Sequence, residues 1–219
     1  MKIKVCGLRE PDNIRDVLEL GVDYVGFILA EQSKRYVGDT DLAAWIADNE
    51  ERFGTTQRVG VFVNAGVDVL LNAVHDYRLD WVQLHGDESP GYCRELQLLW
   101  SVNTLRKASV AKAFSVDAGF DFAVTAAYAD SCDLFIFDTG GHPQAGGTGK
   151  QWNWERLAEY TGNVPFLLSG GIGPDDAHRL RTIDHPQLLG VDLNSRFETT
   201  PGVKDEGRLK AFIRELRGR

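Results

Sequence analysis

Eight short apolar runs recur along the chain at nearly even spacing, and this rhythm limits the fold more than any other feature. They cover residues 3–6, 24–29, 58–63, 81–85, 110–114, 134–138, 166–169 and 189–194. The runs are continuously apolar instead of alternating, as expected of strands covered on both faces in a parallel sheet. Between them lie residues at helical spacing. Ile14, Val17 and Leu18 share one face, with Pro11 and Asp12 as a start and Gly21 as a stop; Leu42, Trp45 and Ile46 repeat the pattern, as do Leu209, Phe212, Ile213 and Leu216. Successive run ends are 22 to 34 residues apart, room for a loop, a helix and a return strand. Eight such units in 219 residues predict one domain of the α/β class, a single (β/α)8 TIM barrel over 1–219. An open doubly wound sheet is the rival. The barrel is preferred because the count reaches eight and the chemically interesting residues fall at the ends of the runs. The fifth run is blurred by Arg106, Lys107 and Lys112.

Net charge narrows the partners. At −8 the chain is a poor match for nucleic acid or an anionic membrane, although a small anion needs only a few local donors. The N-terminal segment turns polar too early for a signal peptide, and no apolar run reaches the roughly 18–20 residues of a membrane-spanning helix. Cys6, Cys93 and Cys132 are an odd number without CxxC spacing. That pattern fits a reducing compartment and neither a disulfide framework nor a zinc site. A soluble, cytoplasmic protein is the expectation.

In a (β/α)8 barrel the C-terminal strand ends meet at one mouth, where active sites form. Cys6 ends the first run. It is either a small buried hydrophobe or an acid/base or nucleophilic thiol, the latter needing partial exposure and an environment that tunes the thiolate. Cys93 and Cys132 lie at no predicted strand C-terminal end and read as structural. Asp138 follows Leu134-Phe135-Ile136-Phe137, where a carboxylate is costly to bury without partners. It either caps a loop or, partly desolvated with a raised pKa, serves as a general acid.

Gly146-Gly147-Thr148-Gly149-Lys150 lacks P-loop spacing and suits either an anion-binding backbone or a lid. Ser169-Gly170-Gly171-Ile172 after the seventh run and Asn194-Ser195-Arg196 after the eighth stand where barrels often bind phosphate. They are otherwise two tight turns. Arg35, in Ser33-Lys34-Arg35-Tyr36, is either a surface ion-pair former or a bidentate grip on a carboxylate. His85, in Gln83-Leu84-His85-Gly86-Asp87, is either a structural histidine or a substrate contact.

Together these segments resemble the phosphoribosylanthranilate isomerases, barrel enzymes of tryptophan biosynthesis. The resemblance rests on Lys4-Val5-Cys6-Gly7-Leu8, Ser33-Lys34-Arg35-Tyr36-Val37, Val59-Gly60-Val61-Phe62, Val82-Gln83-Leu84-His85-Gly86, Phe137-Asp138-Thr139, Gly146-Gly147-Thr148-Gly149, Ser169-Gly170-Gly171-Ile172 and Gly190-Val191-Asp192-Leu193-Asn194-Ser195. Glu198, Pro201-Gly202 and Lys204-Asp205 extend it. It implies a cofactor-free Amadori rearrangement of N-(5-phosphoribosyl)anthranilate, with Asp138 as general acid and Cys6 as general base. Arg35 would hold the anthranilate carboxylate, and Gly170, Gly171, Asn194, Ser195, Gly147 and Gly149 the phosphate. His85 and Asp192 complete the implied substrate-binding set. The implied partner is a phosphorylated aminosugar, with the chain a monomer or homodimer. Lys34 stands where the family commonly has Pro, and Asn194-Ser195-Arg196 where Ser-Ser-Gly is commoner.

Three other readings fit parts of the same pattern. Another phosphosugar isomerase or epimerase would share the phosphate turns without needing both Cys6 and Asp138. A non-catalytic phosphosugar-binding protein would be expected to have lost one of the pair. A thiol hydrolase would need a positioned histidine beside Cys6, and only His85 offers itself.

Overall fold

The computed structural model describes residues 1–102, 106–140 and 151–218. Its centre is a closed barrel of eight strands in sequence order, β1 (Lys2–Cys6), β2 (Tyr24–Ile28), β3 (Gln57–Phe62), β4 (Trp81–Leu84), β5 (Ser109–Val116), β6 (Leu134–Thr139), β7 (Phe166–Leu168) and β8 (Leu188–Leu193). Every neighbouring pair is parallel, including β8 with β1, so no sheet edge is left open. All eight expected runs are strands, with ends shifted by at most two residues. The fifth settles at Ser109–Val116, with Lys112 inside it.

Outside the barrel pack α1 (Pro11–Glu19), α2 (Leu42–Asp48), α3 (Val67–Asp76), α4 (Pro90–Val102), the short α5 (Ala177–Arg181) and α6 (Glu206–Leu216). Pro11 opens α1, where a missing N–H costs nothing, and Gly21 follows its end at φ +67°. The expectation of a full helix in every unit fails in the fifth and sixth. There the described residues form only 3₁₀ segments, Phe122–Tyr128 and Trp154–Glu159. The physical reason is bulk. Phe114, Phe122, Phe137, Tyr160 and Phe166 pack edge-on and tilted at 5.0–6.3 Å, filling the outer face of β5–β7 with rings.

Two apolar cores result. The large one lies between the strands and the helices. A small one inside the barrel is built from Ala111, Ala113, Leu134, Ile136 and Leu167, with Trp81 and Leu189 against it. The N-terminal ends of the strands are tied by a repeated device. Asp23, Asp80 and Asp133 each immediately precede an even-numbered strand and accept the backbone N–H of the second residue of the strand before it. The bonds are Ile3 to Asp23 at 2.9 Å, Arg58 to Asp80 at 2.8 Å and Val110 to Asp133 at 2.9 Å. Arg58 and Arg106 also bond Asp80, and both reach Glu50 Oε1 at 3.1 Å.

After β8 the chain makes a 3₁₀ turn (Ser195–Phe197) and an antiparallel pair, β9 (Glu198–Thr200) and β10 (Val203–Lys204). Asn13 of α1 bonds both backbone groups of Lys204, at 2.9 and 2.7 Å, so this hairpin is fixed against the first unit.

Candidate active site

Parallel strands put all eight C-terminal ends on one rim, and polar side chains gather there. Cys6 ends β1, His85 follows β4, Asp138 is the penultimate residue of β6, Ser169 follows β7 and Asn194 follows β8. Cys6 and Asp138 therefore share one mouth.

Room for the thiol is made by Gly26, its register partner on β2: a Cβ there would stand 2.8 Å from Cys6 Sγ. Gly7 is required for two reasons. Its φ is +80°, and a Cβ would meet Arg35 Cδ at 2.6 Å and Asn194 Oδ1 at 2.9 Å. The Cys-Gly dipeptide thus marks the point where the loops after β2 and β8 converge on the end of β1. Cys6 is only 4% exposed. Burial pushes its thiol up, the buried Lys4 ammonium beside it pulls down, Asp192 pushes up again and Lys204 opposes; the net is upward.

Asp138 departs from the expectation of a raised carboxyl. Burial does push it upward, but His85 outweighs this by hydrogen bond and charge, helped by the Thr139 N–H at 2.8 Å and by Ser169, and the carboxyl is held below its usual value. His85 Nε2 lies 3.3 Å from Asp138 Oδ2, while its Nδ1 faces Gln83 Nε2 at 2.9 Å. A Gln83 N–H donating to Nδ1 leaves the proton on Nε2, aimed at the carboxylate. That proton then lies between the His85 ring and the Asp138 carboxylate.

The loop carrying His85 is tied down from behind. Lys112, the cation that blurred the fifth run, is buried and bonds Gly86 O at 2.7 Å and Glu88 Oε2 at 3.2 Å. Glu88 in turn accepts the backbone N–H of Gly86 and Asn64.

Arg35 is gripped as well as poised to grip. Its Nε and Nη2 donate to the two oxygens of Glu198 at 2.7 and 2.5 Å, and Lys204 Nζ bonds the same carboxylate at 2.7 Å. Burial raises Glu198, but the Arg35 and Lys204 contacts prevail and hold it low. Arg35 also lies close enough to Cys6 for their charges to interact. Its position is set by the β9–β10 hairpin, so Lys34 in place of Pro does not leave it unanchored; the Lys34 carbonyl accepts from Arg9 at 3.3 Å.

The expected phosphate turns are neighbours. Gly170 and Gly171 have φ +93° and +67° in the loop after β7, and a Cβ on Gly173 of that loop would meet Arg196 Cδ at 3.0 Å. Ser195 begins the 3₁₀ turn, and the Asn194 side chain is turned toward Gly7 and accepts from Lys204 at 2.8 Å. Trp152 Nε1 and Gln151 brace the seventh loop through Ser169 O and Gly171 O. Asp192 is directed at Lys4, with Oδ2 receiving Nζ at 2.9 Å. Gly147 and Gly149 lie outside the described residues. Cys93 and Cys132 are both buried and interact with each other. Among the described residues no three His, Cys, Asp or Glu side chains are grouped as metal ligands.

Lys4, Gln83, Glu198 and Lys204 also belong to the site, though none of them carries an expected role from its residue type and position alone. The available signal was a polar residue inside an otherwise apolar run, as at Lys4 and Gln83.

A closed barrel with a thiol, a carboxylate–imidazole pair and an anchored guanidinium at one mouth defines a barrel enzyme of acid–base chemistry on a small anionic substrate. A profile of the N-(5'-phosphoribosyl)anthranilate (PRA) isomerase family matches residues 3–215. The N-(5'-phosphoribosyl)anthranilate isomerase of Parabacteroides distasonis is 44% identical over 216 residues, which cover 99% of this chain and 93% of the relative. A crystal structure of phosphoribosyl anthranilate isomerase in complex with reduced 1-(o-carboxyphenylamino)-1-deoxyribulose 5-phosphate superposes with a TM-score of 0.81 at 27% identity, covering both chains fully. So does the structure of monomers generated from dimeric phosphoribosylanthranilate isomerase of Thermotoga maritima, at a TM-score of 0.79 and 29% identity. The chain belongs to the N-(5'-phosphoribosyl)anthranilate isomerase family.

Proposed function

We propose that Cys6 and Asp138 are the base and the acid of the family's reaction, the isomerisation of N-(5-phosphoribosyl)anthranilate to 1-(2-carboxyphenylamino)-1-deoxyribulose 5-phosphate in tryptophan biosynthesis. The Asp138–His85 pair gives a proton to the furanose ring oxygen, the C1–O bond breaks and the anthranilate nitrogen becomes a Schiff base. The Cys6 thiolate takes the C2 proton, and the resulting enolamine tautomerises to the ketone. Each proton transfer by a positioned group contributes about 10²–10⁴-fold.

Arg35 receives the anthranilate carboxylate, and the backbone of Gly170, Gly171, Asn194 and Ser195 the phosphate. Gly147 and Gly149 join them on the strength of resemblance alone. The observation that carries this reading is Asp138, 8% exposed, hydrogen-bonded to an imidazole at the same barrel mouth as Cys6. Asp192 acts from beneath, through Lys4, rather than by touching substrate. No helix among the described residues is long and apolar enough to cross a membrane, which accords with a cytoplasmic biosynthetic enzyme. As a solution form the reading allows a monomer or a homodimer.

A fluorescence assay following consumption of freshly made phosphoribosylanthranilate tests it, with wild type, Cys6→Ala and Asp138→Val. Turnover by the wild type and its collapse in both folded variants supports the roles. Near-normal turnover in either variant removes that residue from the mechanism.

A further inference from the structure

Lys4 takes and gives no proton in the reaction above, yet it is among the largest fully buried side chains of the protein. It is 1% exposed, it points inward from β1 two residues before Cys6, and it therefore shares a face with the thiol. Burying an ammonium is unfavourable without a partner, and breaking such a pair leaves an uncompensated charge. The partner here is Asp192, its register neighbour on β8, with Nζ to Oδ2 at 2.9 Å. The pairing is incomplete on the acidic side, since Asp192 Oδ1 is buried with no hydrogen-bond partner. It is also incomplete on the basic side. An ammonium has three donors and Asp192 takes one, while Cys6 follows two residues on along the same inward face of β1, close enough for the two charges to interact.

Four charged groups face Cys6, from four elements: Lys4 on β1, Asp192 on β8, Lys204 on β10 and Arg35 in the loop after β2. Arg35 and Lys204 both donate to Glu198, and Lys204 also to Asn194, which holds them toward the hairpin. Lys4 is the cation that shares a strand face with the thiol, its one hydrogen bond given to Asp192.

We infer that Lys4, oriented by Asp192, is the positioning residue that supplies the counter-charge against which the Cys6 thiolate forms. This rests on the reading of Cys6 as the base. In the step concerned Cys6 first releases its proton to solvent and its thiolate hydrogen-bonds Lys4. On taking the C2 proton it returns to the thiol, and Lys4 stays an ammonium throughout. Burial lowers the Lys4 ammonium, but Asp192 and Cys6 outweigh it and keep the group charged. Asp192 sets how much of that charge the thiol feels, and the two residues therefore act on Cys6 in opposite directions.

The test is the pH dependence of iodoacetamide alkylation of the ligand-free protein, read by mass spectrometry on the peptide containing Cys6, with Cys93 and Cys132 as internal references. Lys4→Gln is expected to move the Cys6 midpoint up by about one to three pH units, the span a nearby opposite charge commands. Its kcat/KM at neutral pH falls roughly 10–10³-fold and recovers toward wild type as pH rises, because only the thiolate fraction is lost. Asp192→Asn moves the midpoint down. An unmoved midpoint in folded Lys4→Gln, or an upward shift in Asp192→Asn, overturns the inference. If Lys4→Gln does not fold, the sign of the Asp192→Asn shift decides. Alkylation needs no turnover, so a failure of Cys6→Ala to lose activity would remove the base assignment without touching this result.

Discussion

The two ends of the barrel use the same residue types to opposite purposes. At the N-terminal end, Asp23, Asp80 and Asp133 accept backbone N–H groups of neighbouring strands, and Asp80 adds two guanidinium partners. At the mouth, Asp138 leans on an imidazole and Asp192 on an ammonium beside a thiol. Amide and guanidinium donors do not titrate in the physiological range, so the donors facing the lower carboxylates keep a single state there. Imidazole and thiol do titrate, so the upper carboxylates sit in circuits where a proton can move. What separates a clamp from a catalyst here is the partner of the carboxylate, not the carboxylate.

The largest contrast is expected from Asp138→Asn. Turnover should fall by about 10²–10⁴-fold, with a urea midpoint lowered by less than in Asp80→Ala. A midpoint lowered as far as in Asp80→Ala with turnover retained would make Asp138 a clamp and erase the distinction. Asp80→Ala should do the reverse. Removing one partner of a buried pair costs about 3–5 kcal/mol, and since the Asp80 side chain is 24% exposed about 2–3 kcal/mol is expected. Denaturant unfolding reads this loss, while kcat/KM at 25 °C should stay within about twofold.

Its acid dependence follows from the sign of the shift. Burial raises the Asp80 carboxyl, but Arg58 and Arg106 prevail and hold it low. Its contribution is therefore full above about pH 4 and fades as pH falls through the lowered value. The variant's stability should be flatter than wild type over that acid range.

Glu198→Gln sharpens the comparison at the mouth. Arg35 loses its bidentate anchor, and KM should rise by roughly tenfold with a smaller change in kcat, the mark of a binding contact rather than a proton-transfer group. Equal losses in both would place Glu198 in the chemistry. Lys210→Ala is the smallest. Lys210 and Glu206 are exposed and 3.8 Å apart on α6, so less than about 0.5 kcal/mol should be lost in thermal unfolding.

The strands were legible because burial on both faces removes polar residues from them, a signal strong enough to set all eight within two residues. The helices of the fifth and sixth units were not. Gap length admits a helix, and nothing local says that Phe122, Phe137 and Tyr160 will occupy its place. Cys6 and Asp138 stood out as reactive groups at strand ends, but their proton states did not. The fall in the Asp138 value comes from His85, more than fifty residues earlier in the sequence, and Lys4 meets Asp192 across a separation of 188. A polar residue within an apolar run looks locally like a blurred boundary until its partner is known. The aspartates before β2, β4 and β6 repeat openly in the sequence, yet their meaning depends on strand register, which only closure of the barrel supplies.

The hairpin after β8 has a consequence for how the enzyme comes into being. Arg35 waits for Glu198, 163 positions further on, and Lys4 waits for Asp192. A ribosome-bound chain that has exposed everything through β6 already carries Cys6 and Asp138, but the thiol then has an ammonium without its carboxylate and the guanidinium has no anchor. Catalytic competence should therefore appear abruptly late in synthesis, when the segment spanning Asp192 to Lys204 emerges and docks on Asn13. Partly made chains would carry the reactive residues without the selectivity that orders them.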